Sequence, residues 1–308
     1  MSKYVTVIAV SVAPFSLDAT DAVVHIGASL AHIGAEKPDI VVLPELCDIP
    51  EELMPGKRGD LAAYLAARGD RVLSLLSDIA RENRTYIVYN TLVPAGEGKL
   101  KNSTRMIDRA GCVIGQYDKC YVTKAEEAVG VLPGDSEVLF DCDFGKVAAI
   151  IGIDSEQKEI RRRYQLAKPV LTVHSSRRSA GLSEKFFAYN TRSYLVSACH
   201  ANGTSAVILP VGEIISESSA IIPIASARVN LDFVLAHGDF NAPKLLAMEK
   251  KYGERATLYT PGNLGVRMAT VESPDMTVED IIKEFGIEPC DAFFERCLAK
   301  RRELKMKE

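Results

Sequence analysis

The chain has 308 residues, of which 47% are hydrophobic and 25% are charged, the balance of an ordinary globular protein. Its formal net charge of -4 excludes the large basic field that a nucleic-acid partner would require. No apolar run approaches the ~20 residues of a membrane helix, so no membrane partner is expected.

The cysteines and histidines give no sign of a metal or disulfide framework. Seven cysteines are scattered without C-x-x-C spacing, and none of the five histidines has the spacing of metal ligands. Neither a Gly-x-Gly-x-x-Gly nor a Gly-Lys-Ser/Thr loop occurs. We therefore expect a reduced, cytoplasmic protein that uses no metal and no cofactor.

Hydrophobic periodicity predicts strands and helices in alternation from the start of the chain. In the first half, strands are predicted at 4–12, 39–43 and 86–93, and helices at 18–33 and 70–83. Two hairpins are expected next, one from 103 to 117 that turns at Arg109-Ala110-Gly111, and one from 137 to 151.

The alternation continues in the second half. A helix capped by Ser155 and ending near 166 is predicted, then a strand at 169–173, a helix at 182–193 and strands at 194–199 and 204–209. From about residue 241 the pattern changes to helix and irregular coil, with helices at 278–285 and 291–303. The prediction is one α/β domain over residues 1–240 and a C-terminal helical extension over 241–308.

Polar residues that directly follow apolar strands mark the expected ligand-binding end of an α/β fold. Glu45 follows the strand in DIVVLPELCD, and Lys119 ends a hairpin strand. Gly152 ends the run GKVAAIIG, and His174 and Ser175 directly follow the next strand. A glutamate, a lysine and a strand-end elbow can supply a base, an oxyanion stabiliser and a nucleophile.

Six short motifs in order make the sequence resemble the nitrilase superfamily of carbon-nitrogen hydrolases. The resemblance extends from about Val5 to about Asp232. The motifs are VVLPEL (41–46), YDK (117–119), LPGD (132–135), GKVAAIIGID (145–154), SYLVSAC (193–199) and GTSAVILPVGEI (203–214). The fold implied is a four-layer α-β-β-α sandwich, usually in homodimers or larger homo-oligomers, and C-terminal extensions of such proteins often lie at subunit interfaces.

The resemblance implies a Glu-Lys-Cys triad that hydrolyses a small amide or nitrile. Glu45 matches the general base and Lys119 the cation that stabilises the tetrahedral oxyanion, assisted by the backbone N–H of Ile153. A second glutamate often orients such a site, for which Glu127 is the candidate and Glu126 the alternate.

The nucleophile position departs from the family pattern. Where the family has Ile-Cys-Tyr-Asp, this chain has Ile151-Gly152-Ile153-Asp154, and the usual Phe-Pro-Glu is Gln-Lys-Glu at 157–159. Three accounts remain open at this point. The chain is a hydrolase whose cysteine has been replaced by glycine, so that it holds substrate without turnover; or a natural pseudoenzyme that binds a small molecule or serves in assembly; or an enzyme with a relocated nucleophile.

Relocation is the least favoured account. Cys120 is adjacent to Lys119, so the two side chains of an extended segment point to opposite faces. Free cysteines such as Cys47 are commonly core residues, and Ser155 fits better as a helix cap.

The loop after the predicted strand at 169–173 is expected to face the pocket and to contact the substrate. It carries His174, Ser175 and Arg177, and an arginine there could bind a substrate carboxylate with two hydrogen bonds. Amide and nitrile substrates cannot be told apart from these residues, since both react through the same thiol adduct.

Overall fold

The structure, a computed structural model, describes residues 3–57, 60–179, 181–262 and 264–306. Its strands are β1 (Tyr4–Val10), β2 (Ile40–Val42), β3 (Tyr86–Pro94), β4 (Leu100–Ile107), β5 (Val113–Asp118), β6 (Leu139–Cys142), β7 (Gly145–Ile151), β8 (Leu171–Ser175), β9 (Tyr194–Ala198), β10 (Ala206–Ile208), β11 (Ile214–Glu217), β12 (Ile224–Asn230), β13 (Phe233–His237), β14 (Ala256–Tyr259) and β15 (Val266–Val271). Its helices are α1 (Ala22–Leu30), α2 (Leu61–Arg68), α3 (Arg71–Asn83), α4 (Lys124–Ala128), α5 (Lys158–Ala167), α6 (Leu182–Thr191), α7 (Gly238–Tyr252), α8 (Val278–Phe285) and α9 (Cys290–Lys305).

Two six-stranded sheets organise the described part of residues 6–228. One has the strand order β12-β1-β2-β3-β4-β5, and the other has the order β11-β10-β9-β8-β7-β6. The sheets face each other, since β2 lies against β8 and β9, and β4 lies against β7. The central strands are buried on both faces, which is why runs such as IVV of β2 carry no polar alternation.

Helices cover the outer face of each sheet. Apolar residues of α1 and α3, such as Ile26 and Leu76, pack on β1–β3. On the other sheet, Ile160 and Tyr164 of α5 and Phe187 of α6 pack on β7 and β9. The four-layer α-β-β-α sandwich predicted from the resemblance is therefore confirmed.

The internal contacts divide the chain into two units. The larger is Thr6–Arg228, and the smaller comprises the residues from Val229 onwards with the first residues of the chain. The smaller unit has an antiparallel sheet, β13-β15-β14, on which α7 and α8 pack through residues such as Met248 and Ile281. The predicted helices near the C-terminus are present as α8 and α9, whereas β14 and β15 occupy sequence where only helix and coil were expected. A domain boundary at residue 240 and an interface role for the extension stay predictions.

The order of strands places three strand ends at one edge of the larger unit. The parallel strands β7, β8 and β9 run side by side, as do β1, β2 and β3. The loops that leave β2, β7 and β8 therefore share an edge, and the antiparallel strand β5 delivers its last residues to the same place.

Candidate active site

Glu45, Lys119 and Gly152 converge in the structure. Nζ of Lys119 lies 2.7 Å from Oε1 of Glu45, and both side chains are buried. A Cβ atom placed on Gly152 would lie 3.0 Å from Oε2 of Glu45 and 3.2 Å from Nζ of Lys119. The direction in which a side chain at residue 152 would leave the backbone therefore points at the carboxylate and the ammonium together.

A second glutamate completes this charged cluster. Nζ of Lys119 lies 3.0 Å from each carboxylate oxygen of Glu126, which is buried. Glu127, the first choice from sequence, is exposed on the other side of α4. The choice between the two is corrected here: Thr123 caps α4, and the reciprocal capping box with Glu126 turns that carboxylate inwards to Lys119.

The cluster keeps its charges because its members compensate one another. Burial opposes the charge of Lys119, but attraction to Glu45 and Glu126 outweighs it and raises the pKa of the lysine. Burial likewise opposes ionisation of Glu126, but Lys119 and hydrogen bonds from Thr123 and Asn102 lower its pKa. An ammonium that stays protonated can stabilise a developing oxyanion.

Asn102 is a site residue that the sequence analysis missed. Its Nδ2 donates to Oε1 of Glu45 at 2.8 Å and to Oε1 of Glu126 at 2.7 Å, so one amide bridges two carboxylates. Asn90 donates in turn to Oδ1 of Asn102 at 3.0 Å, and both asparagines are fully buried. Asparagine is uncommon inside strands, so Asn90 within the apolar run of β3 was the signal available from sequence.

The backbone around Glu45 is held from both sides. His200 donates from Nε2 to the carbonyl of Glu45 at 2.8 Å, and burial lowers the pKa of this histidine. The next N–H, that of Leu46, donates to Oδ1 of Asn90 at 2.8 Å. These bonds hold Leu46 at a positive φ of 54°, a conformation that a branched side chain adopts only under constraint.

The elbow at Gly152 is a tight turn from β7 into a 3₁₀ segment, Gly152–Glu156. Gly152 has φ of +50°, which glycine tolerates without a Cβ clash. Asp154 anchors the turn: its carboxylate accepts hydrogen bonds from Tyr117 at 2.8 Å and from the N–H of Tyr121 at 2.9 Å. Burial raises the pKa of Asp154 to about 6.

Ser155 does not cap a helix as the sequence predicted. Helix α5 begins later, at Lys158, after a Gln157 that makes no capping bond from its side chain. Ser155 instead lies in the 3₁₀ segment and donates to the carbonyl of Gly152 at 3.1 Å. The residues that follow Gly152 form the 3₁₀ segment, so α5 begins three residues after Ser155.

A cavity of about 430 Å³ opens above the cluster. Glu45, Lys119, Glu126, Gly152 and Ile153 line it on the inside, and Ser176, Arg177 and Arg178 line it as well. Arg177 is half-buried, and its nearest carboxylate is that of Glu51 at 3.8 Å. Of the residues predicted to bind substrate, the structure therefore places Ile153 and Arg177 at the cavity.

His174 and Ser175 are the two predicted binding residues that the structure places elsewhere. Both are buried and neither lines the cavity. Ser175 donates to the carbonyl of Leu43 at 2.8 Å, and His174 lies behind the elbow, 3.0 Å from the carbonyl of Gly152. The prediction that they contact substrate is corrected, because β8 continues to Ser175, past the predicted end at 173, and keeps both inside the sheet.

Comparison with known proteins decides the family. The sequence profile of the family described as "Carbon-nitrogen hydrolase" matches residues 6–234. The chain belongs to the carbon-nitrogen hydrolase family. None of the curated proteins is similar enough in sequence to match it.

Solved structures share the fold. The amidase from Nesterenkonia sp. AN1 is 16% identical, with a TM-score of 0.66 over 82% of this chain and 97% of that one. A carbon-nitrogen hydrolase from Helicobacter pylori G27 is 16% identical, with a TM-score of 0.65 over 74% and 90% of the two chains. Nit3 of Saccharomyces cerevisiae, a member of branch 10 of the nitrilase superfamily, is 17% identical, with a TM-score of 0.61 over 74% and 90% of the two chains.

The structure offers no thiol in the described lining of the cavity. Cys47 is fully buried, and burial raises its pKa well above the ordinary value. Cys120 lies with its Sγ 3.5 Å from the hydroxyl of Tyr117, and burial raises its pKa too. A raised pKa reduces the thiolate fraction, so both are poor nucleophiles.

Within residues 3–57, 60–179, 181–262 and 264–306, no group of three or more histidine, cysteine, aspartate or glutamate side chains is arranged to hold a metal ion. None of the helices in these ranges has the length and apolar character needed to span a bilayer.

Proposed function

We propose that the cavity at Gly152 is built for thiol-dependent hydrolysis of a small amide or nitrile, and that this chain binds such a molecule without turning it over. The observation that carries the proposal is the position of a Cβ atom on Gly152, 3.0 Å from Glu45 and 3.2 Å from Lys119. A thiol one bond farther along would lie between its base and its oxyanion stabiliser, where a nucleophile is needed.

The roles follow from the contacts. With a cysteine at residue 152, Glu45 would take the thiol proton and the thiolate would attack the carbonyl or nitrile carbon. Lys119 and the N–H of Ile153 would stabilise the resulting negative charge, and Glu126 would hold Lys119 in place. With an amide, ammonia would leave with a proton from Glu45, and water would then hydrolyse the thioester. Glycine has no atom that can form the thioester.

The Nesterenkonia amidase supports this reading. One of its structures shows covalent addition of the acetamide moiety of fluoroacetamide at the active-site cysteine. The fold is shared, and the carboxylate and ammonium face residue 152 in this chain. On this proposal, the group that the reaction lacks is the nucleophile.

A panel of small amides and nitriles, incubated with the chain and with its Gly152→Cys and Gly152→Ala variants, tests the proposal. We expect turnover by the cysteine variant to exceed that of the other two by at least about a thousandfold, since removal of the nucleophile costs that much or more in the catalytic triad of a serine protease. Turnover by the glycine chain equal to that of the cysteine variant would contradict it.

A natural pseudoenzyme is the second candidate, favoured by the other changes around the elbow. Gln157 and Lys158 stand where the family has Phe-Pro, and Ile153 stands where it has tyrosine. If these changes have reshaped the cavity for binding alone, Gly152→Cys would restore no turnover on any substrate that binds. Calorimetric binding of amides and of the corresponding acids, measured beside turnover, separates the two candidates.

The cavity mouth bears on which molecule binds. Arg177 and Arg178 both line the cavity, whereas the inner cluster offers two carboxylates against one ammonium. A ligand with an amide or nitrile at one end and a carboxylate at the other would place the carboxylate against the arginines and the amide or nitrile against the inner cluster. A cytoplasmic location and a homodimeric or larger assembly stay part of the proposal, and light scattering of the purified chain tests the assembly.

A further inference from the structure

A buried polar group lies directly behind the elbow and faces away from the cavity. Nε2 of His174 lies 3.0 Å from the carbonyl oxygen of Gly152, and Nδ1 lies 2.9 Å from Oε1 of Glu184. The hydroxyl of Ser197 lies 2.5 Å from the same carboxylate oxygen and 3.2 Å from Nδ1. His174, Glu184 and Ser197 are all nearly inaccessible to solvent.

The contacts determine where protons are needed. A carbonyl oxygen only accepts, so Nε2 of His174 must carry a proton. Nδ1 then faces a carboxylate oxygen, and the contact at 2.9 Å is attractive only if a further proton lies between the two atoms. The hydroxyl of Ser197 is close enough to donate to Oε1 of Glu184, which favours a negative charge on that oxygen. The arrangement fits an imidazolium paired with a carboxylate.

The carbonyl that His174 holds belongs to the peptide group whose N–H is that of Ile153. A charged donor on a peptide oxygen draws electron density from the nitrogen, and hydrogen bonds in such a chain strengthen one another. We propose that His174 and Glu184 polarise the Gly152–Ile153 peptide group and strengthen the Ile153 N–H as a donor to a ligand oxygen in the cavity. This inference rests on the proposed function in one respect only, the identity of the ligand that accepts a hydrogen bond from this N–H.

His174 is thus a positioning residue that acts through the elbow backbone. A purely structural role would require only that some donor fills the space behind Gly152. The neutral hydroxyl of Ser155 already donates to the same carbonyl at 3.1 Å, which offers a matched control. If the positive charge of His174 polarises the peptide group, the amide proton signal of Ile153 must change more when the imidazolium is lost than when the Ser155 hydroxyl is lost.

Three variants separate these roles. Glu184→Gln keeps the size of the side chain and leaves a neutral imidazole that can still donate from Nε2. His174→Phe removes the donor altogether, and Ser155→Ala removes the neutral donor. Nuclear magnetic resonance of the chain with glycine at 152 reads the protonation of the His174 ring nitrogens and the amide proton of Ile153, alone and during titration with acetate.

We expect both ring nitrogens of His174 to be protonated at pH 7. The Ile153 amide proton should move upfield in Glu184→Gln, farther in His174→Phe, and least in Ser155→Ala. In the Gly152→Cys background, Glu184→Gln should lower kcat for amide hydrolysis about tenfold, less than the loss of a whole oxyanion donor, with KM within about twofold.

A His174 ring with one protonated nitrogen would overturn the proposal. So would an Ile153 amide signal that shifts as much in Ser155→Ala as in Glu184→Gln. The resonance measurements need no turnover, so they decide this inference even if Gly152→Cys proves inactive and the proposed function fails.

Discussion

Lys119 and Glu45 form a buried ion pair at 2.7 Å whose two charged ends both face the backbone of residue 152. A buried pair of this kind is costly to desolvate unless further hydrogen bonds compensate it. Glu126 and Asn102 supply those bonds. Apolar residues filling the same space would stabilise the fold as well or better. We therefore attribute the buried ion pair to a catalytic or ligand-binding role.

Asn102 should be the most sensitive of the supporting residues. Asn102→Asp would replace the amide donor that bridges Glu45 and Glu126 with a third carboxylate of the same size. We expect the free energy of unfolding to fall by at least about 3 kcal/mol, as when a buried ion pair loses a partner. Urea denaturation beside Asn190→Asp, on the outer surface of α6, provides the comparison. Equal losses in the two variants would show that Asn102 does not bridge the site.

Any side chain at residue 152 should cost stability. The positive φ of Gly152 is unfavourable for L residues by roughly 1–2 kcal/mol, and a new Cβ needs Glu45 and Lys119 to give by a few tenths of an ångström. Gly152→Ala and Gly152→Cys should therefore lose similar amounts of unfolding free energy. A loss confined to the cysteine variant would show that the thiol, and not the backbone, is the source of strain.

The lowered pKa of His200 predicts that the chain is more sensitive to acid than a His200→Gln variant. Its pKa in the folded chain lies below the ordinary value of 6.5, so on acidification the unfolded chain takes up the proton first. The stability that neutral His200 provides is complete above pH 6.5 and falls as the pH drops from 6.5 to the folded pKa. His200→Gln can keep the donor to the Glu45 carbonyl without titrating.

The test is the difference in unfolding free energy between the two proteins at pH 7.5 and at pH 5.5. We expect the original chain to lose stability relative to His200→Gln at the lower pH. A difference that stays constant, or that grows in favour of the histidine, would contradict the assignment.

Arg177 predicts selectivity for acidic ligands. Arg177→Ala should weaken binding of adipamic acid about three- to fivefold and leave hexanamide, of the same chain length, unchanged, since a half-exposed arginine adds a modest charge-assisted contribution that only the acid can use. Isothermal titration calorimetry measures both ligands, with Arg301→Ala on α9 as the control. Equal effects on the two ligands would mean that Arg177 shapes the mouth without recognising charge.

The sequence predicted most of the fold because its elements have clear periods. Helix α8 has the predicted limits of 278 and 285, and α3 differs by a single residue at its start. The short helices α2 and α4 were not predicted. Strands β14 and β15 were also missed, since they are four and six residues long and pair only with each other and β13.

The positions of Glu45, Lys119 and Gly152 were predicted, but the directions of their neighbours were not. Glu126 and Glu127 are adjacent, and only the capping box at Thr123 decides which one turns inwards. Likewise, two more residues of β8 place His174 behind the elbow. A one-residue change of strand register moves a side chain to the opposite face of the sheet. The register is set by contacts between residues far apart in the sequence.

The most direct test of the converging site is the reactivity of a thiol placed at residue 152, which needs no knowledge of the substrate. Gly152→Cys and its combination with Glu45→Gln would be treated with 2-fluoroacetamide, and peptide mass mapping would follow alkylation at residue 152 and at the native cysteines. The account predicts that residue 152 reacts faster than the exposed native Cys112, and that Glu45→Gln slows it at least about tenfold. Alkylation at residue 152 no faster than at Cys112, and unchanged by Glu45→Gln, would contradict it.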